Sequence, residues 1–254
     1  MRCPVCDSNS RYFFRNRETK RPFFRCEKCL YTFSTEQKPN FEEAKGFFKA
    51  QWEESPDGGC PDSYPLFYAL LESVGRPSLK ALDFGCGNGE FIRFLRNKGI
   101  ETLGVDPIPV ENDMKPYVYS TLDELPEKRF DVITAFEVFE HLDRPRDTLS
   151  QLLPFLDQNG FVFIATTLTN RALTNTRCIP YWLYQKDATH IGFFHERTFE
   201  WLAARFNLEI HILRHCFVVL DKSSQRLIDV DPQGTKFIFR KEEHSYLARR
   251  PGPF

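Results

Sequence analysis

The period of the apolar positions changes several times along the chain. Between residues 79 and 166, short continuous apolar runs alternate with stretches in which apolar side chains recur at helical spacing. Residues 79–84, 102–106, 130–136 and 160–166 read as buried strands, and 91–98 and 148–156 as helices. Another helical pattern, PLFYALLESVG at 65–75, precedes the first strand. Strands separated by helical crossovers pair in parallel, so an α/β fold is expected. Farther on, 197–206 reads as a helix and 208–213, 217–220 and 235–240 as strands, among which an antiparallel edge is expected. No internal repeat interrupts this series.

The first forty residues follow a different rule. Cys3-Pro4-Val5-Cys6 and Cys26-Glu27-Lys28-Cys29 are two CxxC knuckles separated by 19 residues, the spacing of a four-cysteine zinc site. Each knuckle aims two thiolates at one point, and a pair of knuckles completes the tetrahedron that zinc prefers. Aromatic and basic residues at strand-like spacing over 11–24 fit the hairpin of a zinc ribbon. A thioredoxin-like dithiol is the rival reading, but its βαβ context is missing. A closed four-cysteine site is structural, not catalytic. Cys60, Cys86, Cys178 and Cys216 lack such pairing and read as free thiols.

Composition narrows the class. The chain has 254 residues, 41% hydrophobic and 27% charged, as expected of a globular protein with room for a small module and a larger domain. No apolar run reaches the roughly 18 residues of a membrane helix, so no membrane association is expected. The N-terminus shows no apolar leader, so the expected location is cytoplasmic, with reduced thiols. Net charge is −1 overall, yet residues 1–38 hold nine Lys or Arg against four Asp or Glu. That basic balance suits either a solvated surface or an acidic partner.

Asp83-Phe84-Gly85-Cys86-Gly87-Asn88-Gly89 leaves a strand and enters a helix, at the carboxyl edge where open α/β sheets bind ligands. A nicotinamide loop of the GxGxxG type is the obvious rival. Here the spacing is GxGxG, with Glu90 in the place of the last glycine of that pattern. Asp83 also stands just before the loop, where a carboxylate repels a pyrophosphate but suits the ammonium of a methionine moiety. Asp106 ends the next strand, where it can accept hydrogen bonds from ribose hydroxyls or simply cap a loop.

Taken in order, LDFGCGNGEF, LGVD, FDVITAFEVFEHL and GFVFIATTLTN resemble the successive motifs of class I S-adenosylmethionine-dependent methyltransferases, over residues 65–212. The resemblance implies a Rossmann-like seven-stranded sheet with the ribbon attached at its N-terminus. It places Asp83, Phe84, Gly85, Cys86, Gly87 and Gly89 at the methionine end of S-adenosylmethionine and Asp106 at the ribose. Thr121, Leu122 and Asp123 then flank the adenine, and Ala135, Phe136 and Glu137 border the methyl side. The implied organisation is a ribbon over 1–40, a linker and substrate cap over 41–64, a methyltransferase domain over 65–245 and a tail over 246–254. A zinc ribbon fused to such a domain further resembles bacterial methyltransferases of sugar and natural-product pathways, which implies O- or C-methylation of a small molecule. An RNA acceptor is the second expectation, carried by the basic ribbon and its aromatics Tyr12, Phe13 and Phe14. Oligomeric state is not legible.

Methyl transfer from a sulfonium is an in-line displacement in which positioning does much of the work, while an oxygen or carbon acceptor also loses a proton. Candidate bases are His141 and His190, followed by His195, Tyr181 and Tyr184. His141 reads equally as a helix-start residue bonded to backbone. Glu137-Val138-Phe139-Glu140-His141 resembles the ExxEH cluster of ubiquinone-pathway O-methyltransferases and of small-RNA 2′-O-methyltransferases, where it binds a divalent metal. That resemblance implies a second metal site at Glu137, Glu140, His141 and His190. Its rival is a pair of glutamates that offsets a helix N-terminus. Trp52, Tyr181 and Trp182 are candidate pocket walls or plain core.

Overall fold

A computed structural model describes residues 1–36 except 18, positions 64, 67, 68, 70 and 71, then 78–169, 184, 187–213 and 216–222, together with the backbone of three C-terminal strands. Trp52, Tyr181, Trp182, Cys60 and Cys178, as well as the expected cap over 41–64 apart from Tyr64, lie outside the described residues.

The apolar runs become the seven-stranded sheet at the centre of the molecule. β4 (Lys80–Phe84), β5 (Glu101–Val105), β6 (Val118–Tyr119), β7 (Phe130–Phe136) and β8 (Leu156–Ala165) run in parallel. β10 (Glu209–Leu213) and β11 (Phe217–Asp221) complete it in the order β10-β11-β8-β7-β4-β5-β6. Strands buried on both faces need apolar side chains on both, which explains the continuous runs VITAF and FVFIA in place of alternation. The reversed strand is β11, which sits inside the edge between β8 and β10. A short connection makes β10 and β11 an antiparallel hairpin, and all five side chains of β11 are buried.

Helices α1 (Glu90–Asn97) and α2 (Pro145–Leu152) pack on the sheet through Phe91, Ile92 and Leu95 and through Leu149 and Leu152. β8 begins four residues earlier than its apolar run, because Leu156 already pairs with Phe130 across an irregularity in the ladder. Phe67, Phe91, Phe136 and Phe163 form an aromatic cluster on one face, with Phe91 and Phe136 centroids 4.6 Å apart. β4 is flanked by β5 on one side and β7 on the other, so the winding reverses at its carboxyl end and opens the crevice where such sheets bind ligands.

The cysteine segment folds as β1 (Ser10–Arg15), β2 (Pro22–Cys26) and β3 (Thr32–Phe33), all antiparallel. β9 (Gly192–Phe193), from the distant part of the chain, joins as the fourth strand by pairing with β3. Immediately after it comes α3 (Glu196–Phe206). β12 (Ile228–Val230), β13 (Lys236–Arg240) and β14 (Ser245–Arg249) form a separate antiparallel sheet. No helix among the described residues is long and apolar enough to cross a membrane.

Candidate active site

At the carboxyl end of β4 the glycine loop is fastened to the two neighbouring strands. Asp83, 3% exposed, accepts a hydrogen bond of 2.7 Å from the Thr134 hydroxyl on β7. The Gly85 amide donates to the Val105 carbonyl at 2.7 Å, and the Gly87 amide donates to Asp106 Oδ2 at 2.9 Å. Asp106 Oδ1 accepts from the Ile108 amide at 2.8 Å, so one carboxylate organises both its own turn and the glycine loop. Gly85 has φ 75° and a Cβ there would stand 2.4 Å from Val138 Cγ2. Gly89 has φ 84°, and a Cβ there would stand 2.8 Å from Met114 Cβ. Both positions demand glycine for backbone shape and for space.

Burial pushes the Asp83 carboxyl up to about 7, against the opposing pull of the Thr134 hydroxyl, and nearby Asp106 adds to the rise. Burial likewise raises Asp106, while the amides of Ile108 and Gly87 favour its charged form. A buried acid of this kind, with no cation among its described partners, is poised to accept an ammonium group.

The structure spreads the remaining sequence candidates around this loop. Phe84 is half-buried and Cys86 is buried behind the loop, its Sγ 2.5 Å from where a Gly104 Cβ would stand. Thr121 is exposed and Leu122 half-buried at the start of a 3-10 turn over Leu122–Glu124, beyond β6. Ala135 is fully buried, and the Phe136 ring belongs to the aromatic cluster.

Beyond β7 the EVFEH segment forms a short 3-10 turn, Phe139–His141. Glu137 stands before it with φ 52°, a left-handed conformation that a β-carbon disfavours. Its amide donates to the Ala165 carbonyl at 2.9 Å, which holds this strained residue at the end of β7. The Tyr184 hydroxyl lies 3.0 Å from Glu137 Oε2 and 3.1 Å from Thr166 Oγ1, and bonds Glu140 Oε1 as well. Glu140 is fully buried, and its Oε2 has no hydrogen-bond partner among the described residues. Burial drives both glutamates upward, and the proximity of the two acids adds to the effect at Glu137.

Two histidines face these acids. His190 Nδ1 is 2.7 Å from the Tyr184 carbonyl, and His141 Nδ1 is 3.1 Å from the Thr189 carbonyl. A carbonyl only accepts, so each Nδ1 carries a proton, and in the neutral form of either ring the lone pair lies at Nε2. His190 Nε2 stands 4.0 Å from Glu140 Oε1 and 3.7 Å from Asp187 Oδ2, and burial lowers its pKa. Ligand atoms of Glu140, His141 and His190 lie within 4.8 Å of one another. The orphaned Glu140 oxygen and the two oriented imidazoles fit a divalent cation. His195 stands apart from this cluster. Its Nδ1 accepts from the Arg197 amide at 3.1 Å and caps α3, in a box closed by the Thr198 hydroxyl.

The four cysteines converge as well. Cys3 and Cys29 Sγ are 3.6 Å apart, Cys6 and Cys26 Sγ 3.4 Å, and none of the four forms a disulfide. A tetrahedron with zinc–sulfur bonds of about 2.3 Å has edges of about 3.8 Å, close to both separations. Burial raises the Cys26 thiol, and the amides of Lys28 and Cys29, which donate to its Sγ, oppose that rise. Asp7 and Leu30, each following a knuckle, share the left-handed φ of 59° and 62° that turns the chain away.

Comparison with known proteins decides the family to which this loop, buried acid and strand order belong. A methyltransferase domain family matches residues 42–212, more than half of the chain. The chain belongs to that family. Curated relatives include the mitochondrial ubiquinone biosynthesis O-methyltransferase of Candida albicans, 33% identical over 37% of this chain and 34% of the relative. The ubiquinone biosynthesis O-methyltransferase of Aliivibrio fischeri is 29% identical over 41% of this chain and 51% of the relative. The chain therefore spans about a third to a half of the length of these relatives. Among solved structures, the plantazolicin methyltransferase BpumL in complex with SAH superposes with TM-score 0.52 at 13% identity, over 72% of this chain and 92% of that one. The Burkholderia thailandensis 1,6-didemethyltoxoflavin-N1-methyltransferase gives 0.51 at 15%, over 82% and 96%. These two establish the methyltransferase fold. Sequence reasoning missed two polar members of the site, Thr134 and Thr166, whose one signal is a threonine inside or ending a buried apolar strand.

Proposed function

We propose that the chain is an S-adenosylmethionine-dependent methyltransferase acting on an oxygen of a small-molecule acceptor. The observation that carries this reading is buried Asp83 beside a positive-φ glycine loop held by Asp106, at the crevice of the sheet. Asp83 takes the donor's ammonium, the glycine loop lets backbone approach the methionine end, and Asp106 receives the ribose hydroxyls. Thr121 and Leu122 flank the adenine, while Ala135, Phe136 and Glu137 border the methyl side. Oxygen as the accepting atom is supported by the O-methyltransferase names of the curated relatives. A sugar or natural-product skeleton is the acceptor class that the ribbon-plus-domain arrangement supports.

Glu140, His141 and His190 hold a divalent cation in this reading, with Glu137 beside them. A cation held there would supply Lewis acidity that lowers the pKa of an acceptor hydroxyl. His190 would ligate through Nε2, its tautomer fixed by the Tyr184 carbonyl, and the departing proton would pass to solvent. Cys3, Cys6, Cys26 and Cys29 hold a structural zinc.

Calorimetry with S-adenosylhomocysteine on the zinc-loaded chain tests the donor assignment. Saturable one-to-one binding that weakens at least about tenfold in Asp83→Asn is expected, as for loss of a charge-assisted contact. Absence of binding to the wild-type chain would overturn the reading.

A further inference from the structure

The ribbon is not an appendage. Residues 188–194 are gripped by it on one side and build the acid–histidine cluster on the other. On the ribbon side, Arg21 Nη1 donates to the Ala188 carbonyl at 2.7 Å, and the Ser34 amide donates to the Ile191 carbonyl at 2.9 Å. Thr32 and Phe33 pair with Phe193 and Gly192, and the Phe23 ring stacks on Phe193 at 5.0 Å. The Tyr31 hydroxyl presses on Gly192 so closely that a Cβ there would stand 2.0 Å from it. On the cluster side, the Ile191 amide donates to the Glu140 carbonyl at 2.9 Å, and the Thr189 carbonyl orients His141. Phe193 also touches the Tyr184 ring, at 6.3 Å between centroids. A second seam reaches the knuckles themselves, where the Thr198 hydroxyl donates to the Cys29 carbonyl at 2.9 Å and Arg146 reaches Val5 and Asp7.

We propose that the folded, metal-loaded ribbon positions the acid–histidine cluster: Tyr31, Phe23 and Arg21 hold residues 188–194 in the register that sets His190 and His141 against Glu140. The physical reason is the shape of 188–194. It is an edge segment with a two-residue strand, fixed by β3 on the ribbon side and by the Glu140 carbonyl and the Thr169 amide on the other. Unfold the ribbon and the outer partner goes, together with the aromatic stack. The glycine loop is built on β4, β5 and β7 and has no partner among these ribbon contacts, so the donor site stays intact. Thus the zinc state reaches the acceptor chemistry and spares the donor site. The inference takes the chemical importance of the cluster from the proposed function, but the coupling itself is readable without methyl transfer.

The test uses the full chain with zinc bound and S-adenosylhomocysteine as the probe of the donor site. Hydrogen exchange is followed before and after zinc is removed by a chelator. Amides of 188–194 and 139–141 are expected to exchange at least about tenfold faster once the ribbon opens, while 80–89 and 101–106 keep their protection. Acceleration confined to residues 1–36 would overturn the proposal. So would acceleration everywhere, because the ribbon would then support the whole fold and not this cluster. In parallel, histidine ring spectra report the cluster directly in zinc-loaded Gly192→Ala. Its His190 and His141 signals are expected to move, and Tyr31→Phe in the same chain, which removes the clashing oxygen, is expected to bring them back toward the wild type. Unmoved signals in Gly192→Ala would contradict the coupling even where S-adenosylhomocysteine binds normally. A chain that shows the coupling and does not bind that probe would instead overturn the donor assignment alone.

Discussion

In the proposed donor site the partner of the ammonium is one buried side chain, Asp83. Its carboxyl titrates at about 7 in the folded chain against the usual 3.8, because burial opposes the charged form. The sign follows: the stability due to protonated Asp83 is full below 3.8 and lost as pH rises through 7. A ligand ammonium needs the ionised form, so affinity for S-adenosylhomocysteine is expected to rise about tenfold per pH unit below 7 and to level off above it. Calorimetry from about pH 5.5 to about 8.5 checks this, and a flat wild-type profile would count against Asp83 as the ammonium partner. Thr134→Val, which removes the donor that favours the charged carboxylate, is expected to move the midpoint upward. At Gly85 an alanine meets both a φ of 75° and Val138, and a loss of about 1–3 kcal/mol in a denaturant melt is expected. Asp83, the glycines and Asp106 were legible in sequence because position after a strand and residue type both speak there. Thr134 was not, because a lone hydroxyl in a buried run looks the same whether it fills space or bonds a carboxylate.

At the scale of elements, the strands of the central sheet apart from two-residue β6, and its helices, came from apolar period, and their ends moved where long-range pairing outweighed it. β8 starts early because Leu156 finds Phe130 across the sheet. The ExxEH segment departs further: it turns as a 3-10 element with Glu137 left-handed, since the Ala165 carbonyl and the Tyr184 hydroxyl fix it from outside. Tertiary contacts of this kind are invisible to local spacing. His195, expected among the candidate bases, instead caps a helix, and the cap explains it without any proton transfer. His195→Ala is expected to cost about 1 kcal/mol in thermal or urea unfolding and to leave S-adenosylhomocysteine affinity unchanged. A marked fall in that affinity would give His195 a role beyond the cap.

Over the whole molecule, two chemistries meet through one short edge. The cysteine spacing announced the ribbon, but the pairing of β3 with β9 joins residues far apart in sequence, each in a two-residue strand too short to carry a pattern. The four thiols fit one tetrahedral ion per chain, and metal analysis is expected to find one zinc that Cys26→Ser releases. No zinc in the wild-type chain, or zinc fully retained in Cys26→Ser, would contradict the assignment. The proposed donor site at the crevice of the sheet is the ground for reading the chain as a working methyltransferase. Its most direct test is calorimetric titration of the zinc-loaded chain with S-adenosylhomocysteine, beside Asp83→Asn. The account predicts one binding site per wild-type chain, tightening as pH approaches 7 and weakened at least about tenfold in the variant. Equal binding by both chains, or none by the wild type, would contradict it.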